Sequence, residues 1–174
     1  MYGRLLSQAV EELETGTIQQ QKRGVTISLP FDYGVPATLV PDDEQRARFY
    51  RQVSLLQTTE EVEELFGPFH ARITALPKNE QLRIENLKRI LELRSLALQT
   101  PIRVIDYQEG EGIDGHVRKN VEFEFSELKP EHVERVIPII PDFKIVGQRI
   151  VVKAEDLGDF YSQIKKILHV LANI

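Results

Sequence analysis

The sequence contains no cysteine. A disulfide framework and thiolate chemistry are therefore excluded, and the absence fits a reducing compartment. An excess of positive charge is missing too: 22 Lys and Arg face 27 Asp and Glu, a formal net charge of −5. A chain built mainly to neutralise phosphates leans the other way. No apolar run approaches the ~20 residues that a membrane helix needs. The opening MYGRLLSQAVEELE carries acids where a signal peptide needs an apolar core. The expected setting is the cytoplasm. Neither an internal repeat nor a low-complexity tract is present.

Catalytic motifs are equally scarce. No G-x-S-x-G elbow and no G-x-x-x-x-G-K-[ST] phosphate loop occurs. The four histidines, His70, His116, His132 and His169, include no i, i+4 pair and have no cysteine partner. They read as isolated surface or half-buried residues, not as metal ligands. Carboxylates abound, but the run EEVEEL at 60–65 is more simply a solvated helix face than an acid/base pair.

What is present is 174 residues with 41% hydrophobic and 28% charged content, ordinary for a soluble globular chain with one core or a domain plus an appendage. Residues 2–14 predict a helix, with Leu5, Leu6, Ala9, Val10 and Leu13 at helical spacing and Gly16 at its end. The polar tract TGTIQQQKRG follows, and we place a boundary near Gly24, dividing 1–24 from 25–174. VTISLPF predicts a strand and DYGVPATLVP a proline-punctuated loop. Asp42, with Gln45 three residues on, caps a helix through about Val53, and Thr58 with Glu61 forms a capping box for a short helix closed by Gly67 and Pro68. FHARITALPKN predicts a loop. A longer helix covers about 81–98, with Ile84, Leu87, Leu91, Leu93, Leu96 and Leu98 inward and a Glu85–Arg89 pair outside. Strands are expected at 102–107 and 117–125, a short helix from Pro130, two short strands around Gly147, and a last helix over 156–172 with Leu157, Phe160, Ile164, Leu168 and Leu171 on one face. Helices and strands come in unequal clumps without βαβ alternation. The expected fold is α+β: a small, mostly antiparallel sheet packed with several helices and preceded by an N-terminal helix.

Two stretches invite sharper readings. Gly110, Gly112 and Gly115 spell G-x-G-x-x-G after an apolar run. A dinucleotide loop needs a helix directly after the glycines, to present free N–H groups to the pyrophosphate. Here Val121, Phe123 and Phe125 alternate with Glu122, Glu124 and Ser126, so a strand follows and the glycines belong to a hairpin. Glu109, Glu111 and Asp114 would repel a phosphate, and their spacing is not that of an EF-hand. A carboxylate-based enzyme would require these acids to converge in a pocket. The second stretch is RARFYRQ, which interleaves Arg46, Arg48 and Arg51 with Phe49 and Tyr50. Together with Lys88 and Arg89 it could form a nucleic-acid-binding module. The acidic balance favours the alternative, in which Phe49 and Val53 are core and the arginines pair with Asp42, Asp43 and Glu44.

The stretch VPDDEQRARFYRQV at 40–53 also carries a family resemblance. It resembles the C-terminal domain of the bacterial transcription-repair coupling factors, large ATP-dependent DNA translocases. An extended approach with prolines, a Pro-Asp cap and a helix with an Arg and a Tyr-basic pair correspond to Pro36, Pro41, Asp42, Arg46, Tyr50 and Arg51. Leu29 and Pro30 match the start of that block. Tyr2, Leu6, Ala9, Val10 and Leu13 resemble the helix that ends the family's translocase module. Thr58 to Leu65 resembles its acidic helix, Phe66-Gly67-Pro68 its Phe-Gly-Pro stop, and 82–98 its next helix. The order of these motifs carries the likeness over about 2–107, and element order carries it beyond. EEVEELFG is about two turns shorter than the family's acidic helix and lacks its Asp-Arg pair, Ala47 replaces a common Leu, and the 69–81 loop looks longer.

The resemblance implies regulation, not catalysis. It implies an autoinhibitory domain, without cofactor or metal, that docks on the UvrB-like module of the same polypeptide. That docking masks the surface that recruits UvrA and restrains the motor until stalled RNA polymerase is engaged, with DNA contacted only through the translocase. Glu61 and Glu64 are the candidate docking residues. Pro36, Pro41, Asp42, Arg46, Tyr50, Arg51, Phe66 and Gly67 are expected to be structural. Residues 1–16 would be a remnant of the motor, and the chain a piece of a larger protein.

Overall fold

The structure, a computed structural model, describes residues 24–172, so the expected helix at 2–14 and the linker after it lie outside the described residues. The described chain divides into two compact units: residues 31–95 form one, and 24–30 with 96–172 form the other.

The first unit is helical. Helix α1, Asp43–Leu55, starts where the sequence places it: the Asp42 side chain accepts the Glu44 N–H at 3.2 Å. One face of α1 buries Phe49 and Val53. Helix α2, Thr59–Phe66, has the expected capping box, with Thr58 accepting the Glu61 N–H and Glu61 reaching back to the Thr58 N–H. The α-helix ends at Phe66 with Gly67 as its C-cap, where the sequence places the stop. Gly67 keeps helical angles (φ −51, ψ −48), and Gly67–Phe69 is a 3-10 turn leading into α3, His70–Thr74, inside the expected loop. The proline sits in the first turn of the 3-10 segment, where its missing N–H removes no helical bond. The expected loop is what changes: the chain continues helically through this turn into α3.

Helix α4, Lys78–Ala97, begins three residues before the expected start. The Gln81 side-chain amide ties down the preceding turn by donating to the Leu76 carbonyl (2.7 Å) and the Thr74 carbonyl (3.1 Å). Ile84, Leu87, Leu91 and Leu93 are buried as expected, and so are Ile90 and Ala97, whereas Leu96 and Leu98 are only half-buried. Glu85 and Arg89 pair at 3.0 Å.

The second unit is built on a five-stranded mixed sheet in the order β1-β2-β3-β5-β4. The strands are β1 Thr26–Ser28, β2 Ile102–Glu111, β3 Val117–Phe125, β4 Lys144–Val146 and β5 Arg149–Lys153. Only β1 with β2 is parallel, and residues 31–95 supply the long connection such a pair requires. On β3, buried Val121, Phe123 and Phe125 alternate with half-exposed Glu122 and Glu124, the pleat expected from sequence. On β2, Ile102 and Ile105 are both buried although three residues apart. A register shift between Ile102 and Val104 reconciles this, because one extra residue returns the next side chain to the same face. Helix α5, Pro130–Val136, opens on its proline.

The expected terminal helix is two. Helix α6, Ala154–Leu157, is separated from α7, Phe160–Leu171, by Gly158 at φ 66, ψ −115. Leu157, Ile164, Ile167, Leu168 and Leu171 are buried, while Phe160 is half-buried with its ring 6.1 Å from that of Tyr107. A Cβ at Gly158 meets open space, so its backbone conformation alone opposes a side chain. Gly158→Ala should cost about 1–3 kcal/mol, measured as a shift in urea midpoint at constant slope. A neutral outcome would mean that the kink does not depend on glycine.

Candidate functional site

The acidic helix α2 presents four carboxylates, and their surroundings separate them. Glu61 is occupied by the capping box, its Oε2 accepting from the Gln57 N–H at 2.7 Å and the Thr58 N–H at 3.4 Å. Glu63 lies 3.7 Å from Lys88, whose ammonium also sits 5.6 Å from the centre of the Phe66 ring. Glu60 accepts from the Thr59 hydroxyl. Glu64 is exposed and has no hydrogen-bond or ion-pair partner among the described residues. The two acids singled out from sequence thus differ: one holds the helix start, and the other faces outward uncommitted.

The family-motif residues lie within the same unit. Buried Pro36 turns the chain, its carbonyl accepting from the Leu39 N–H (3.0 Å) and the Val40 N–H (3.3 Å). Pro41 precedes the Asp42 cap and is exposed. Arg46 pairs with Asp43 and donates to the Val40 carbonyl at 3.4 Å, tying helix to approach. The Tyr50 hydroxyl accepts the Val35 N–H at 3.3 Å. Arg51 is exposed, and its carbonyl accepts from Ser54. Phe66 is buried with its ring edge-on to Phe49 at 5.4 Å, and Gly67 follows at the bend. Tyr50→Phe should leave the part-buried Val35 amide without that acceptor and cost about 1 kcal/mol, with faster amide exchange at Val35 as the local signature.

The basic group expected as a nucleic-acid face is broken up. Arg46, Lys88 and Arg89 are each paired with an acid. The expectation that all the α1 arginines pair with neighbouring acids needs correction: Arg48 and Arg51 are exposed and have no ion pair among the described residues. Arg48 borders a concavity of about 220 Å³ in this unit, together with Arg72 of α3. Sequence reading missed Arg72, because it placed 69–79 in a structureless loop.

In the second unit the glycine motif lies at the end of the β2–β3 hairpin. The Gly112 N–H donates to the His116 carbonyl, the Gly115 N–H donates to the Gly112 carbonyl (both 2.9 Å), and Gly115 adopts φ 79. A strand follows, as expected, in place of the helix that a dinucleotide loop needs. Glu109 lies 3.9 Å from Lys119, Glu111 stands opposite Val117, and Asp114 accepts from the His116 N–H (3.2 Å) and Arg118 (3.5 Å). The His116 N–H, with help from the Arg118 charge, holds the Asp114 carboxyl below the usual carboxylate range. Glu109, Glu111 and Asp114 are exposed or hairpin-bound and do not converge on one reaction centre. Among the described residues no group of three or more His, Asp and Glu is placed to hold a metal ion, and no helix is long and apolar enough to cross a membrane. His70, His116 and His169 are exposed; His132, expected at or near the surface, is buried at 3% exposure.

These features define an α+β protein whose distinctive surface groups are an acidic helix and a pair of uncompensated arginines beside a small concavity. The TRCF domain family matches residues 29–128, more than half of the chain, and the protein belongs to that family. Its fold is similar to that in a solved structure described as the crystal structure of the C-terminal domain of transcription-repair coupling factor. The TM-score is 0.60 at 12% identity, covering 85% of this chain and 94% of that one. At that identity the likeness concerns the fold. A search of curated proteins gives no match. The expected α+β class and family are thus both found.

Proposed function

We propose that this chain is a non-catalytic, autoinhibitory docking domain of a transcription-repair coupling factor, working in the cytoplasm and binding the UvrB-like module of the same polypeptide. By occupying that module it would limit recruitment of UvrA and restrain the DNA translocase until RNA polymerase is engaged. The observation that carries the reading is Glu64: an exposed, unpaired carboxylate on the acidic helix of a TRCF domain. A charge of this kind gives orientation and release more than raw affinity, as a reversible brake requires. Undocking then needs only a few kcal/mol of bias, because ~5.5 kcal/mol is enough to invert a 99:1 population.

The test is titration of the chain against the UvrB-like module of a matching coupling factor, with a DNA duplex in parallel. Saturable binding to the module, weakened about tenfold by Glu64→Lys, is the expected result, tenfold being ~1.4 kcal/mol. Glu61→Lys is a poor probe, since it also removes a helix cap; Glu61→Gln keeps an acceptor and should bind nearly as wild type. Failure to bind the module, combined with steeply salt-dependent DNA binding, would replace this reading with the nucleic-acid module centred on α1.

A further inference from the structure

The concavity beside α1 is set apart by what lines it. Its apolar wall is made by Val40, Phe49 and Phe69. Phe49 is already held edge-on by Phe66 (5.4 Å) and Phe69 (5.5 Å), so the wall is fixed by packing. Two cations, Arg48 and Arg72, border it from α1 and α3. Both are exposed, and neither has an ion-pair or hydrogen-bond partner for its guanidinium among the described residues. Gln45 and Gln52 also border it, and their side-chain amides are likewise uncommitted. Positions 45, 48, 49 and 52 share one face of α1, so the helix presents amide, cation, ring and amide along a single stripe.

We propose that this concavity is a docking site for an acidic peptide segment of a partner protein, with one apolar side chain of the segment resting against the wall of Val40, Phe49 and Phe69 and flanking carboxylates engaging Arg48 and Arg72. Charge complementarity selects the occupant. In a chain of net charge −5, Arg46, Arg83, Lys88 and Arg89 of this unit are each matched by an acid; Arg48 and Arg72 are not, and they flank an apolar wall. Guanidinium forks match carboxylates in two-bond geometry. The volume, about 220 Å³, is below the ~300–1,000 Å³ of small-molecule sites and suits a single side chain. A nucleic acid is disfavoured because Phe49 is buried and engaged on two sides by rings, leaving no open platform for a base. Asp42, Asp43 and Glu44 crowd the start of α1 but do not line the concavity, and Asp43 is occupied by Arg46. The site carries charge opposite to that of Glu64, and it stands whether or not the docking role of Glu64 holds.

The experiment uses the whole chain and a fluorescein-labelled oligoglutamate peptide with one central leucine, followed by anisotropy at low and physiological salt. The expected result is saturable binding, weakened about tenfold or more by R48E/R72E and at least several-fold by replacing the peptide's leucine with serine. An oligolysine peptide of the same design should not bind. Arg48→Ala alone should weaken binding several-fold while leaving the circular dichroism spectrum and urea midpoint unchanged, which separates loss of the site from loss of the fold. No saturable binding, binding indifferent to both arginines, or tighter binding of a single-stranded oligonucleotide at the same residues would each overturn the proposal.

Discussion

Phe66→Ala should lower the stability of the helical unit by about 3–5 kcal/mol, the usual cost of deleting a fully buried aromatic side chain. Phe66 is 1% exposed at the last position of α2, where it meets Phe49 edge-on and receives the Lys88 ammonium over its ring. Truncation removes the transfer free energy of the ring and leaves a void that helices tied together elsewhere cannot close. Arg94 of α4 bonds the Ser54 carbonyl of α1, and Lys88 of α4 pairs with Glu63 of α2, so α4 is tied to both helices. Phe69 supplies the control. It makes a similar edge-on contact with Phe49 but is only half-buried, so Phe69→Ala should cost about 1 kcal/mol, close to the value of a ring pair beyond burial. Because the chain holds two compact units, the loss is read locally, as amide exchange across α1 and α2. Equal costs for the two variants would show that ring pairing, and not burial, sets what these side chains contribute.

What the sequence made legible follows from how local each signal is. Caps announce themselves: Asp42 and the Thr58–Glu61 box stand where they were read, because a cap needs only residues within one turn. Strand β3 was legible for the same reason, its alternation being a period of two over consecutive residues. Breaks were less legible. Gly67-Pro68 ends α2 as read, yet no loop follows: Pro is harmless in a first turn, and the chain continues through a 3-10 segment into α3. Gly158 looks tolerable inside a periodic stretch, yet it adopts a conformation only glycine takes readily and divides the helix. The doubly buried Ile102 and Ile105 depend on a register shift set by the partner strand, which no window on β2 alone reveals. At the site, residue types were visible but commitments were not. Glu61 and Glu64 look alike in sequence and differ in the structure because one closes a capping box. Arg48 and Arg72 come together only once α3 is known to exist.

His132→Ala should cost about 2–3 kcal/mol, an unusual sensitivity for a histidine with no metal or catalytic role assigned to it. Two local functions meet in this ring. Its Nδ1 accepts the Lys129 N–H at 3.0 Å, satisfying a donor at the start of α5, and its face stacks on Phe125 at 5.4 Å with planes 20° apart. Loss of a capping acceptor typically costs about 0.5–2 kcal/mol and loss of a ring pair about 0.5–1.5 kcal/mol. The proton of the neutral ring must then lie on Nε2, because a protonated Nδ1 cannot accept. Two variants apportion the effect. His132→Phe keeps the volume and the stack but removes the acceptor, so Lys129 should lose amide protection while most of the stability survives. His132→Asn keeps an acceptor within reach and removes the ring, so the order should reverse: protection at Lys129 with loss of packing against β3. If His132→Ala shifts the urea midpoint by no more than a surface substitution does, within about 0.5 kcal/mol, then neither bond nor stack contributes and the burial of this histidine is incidental. The expected pattern would instead make it the residue that fixes α5 to the sheet, a packing role that its spacing from the other histidines could never have shown.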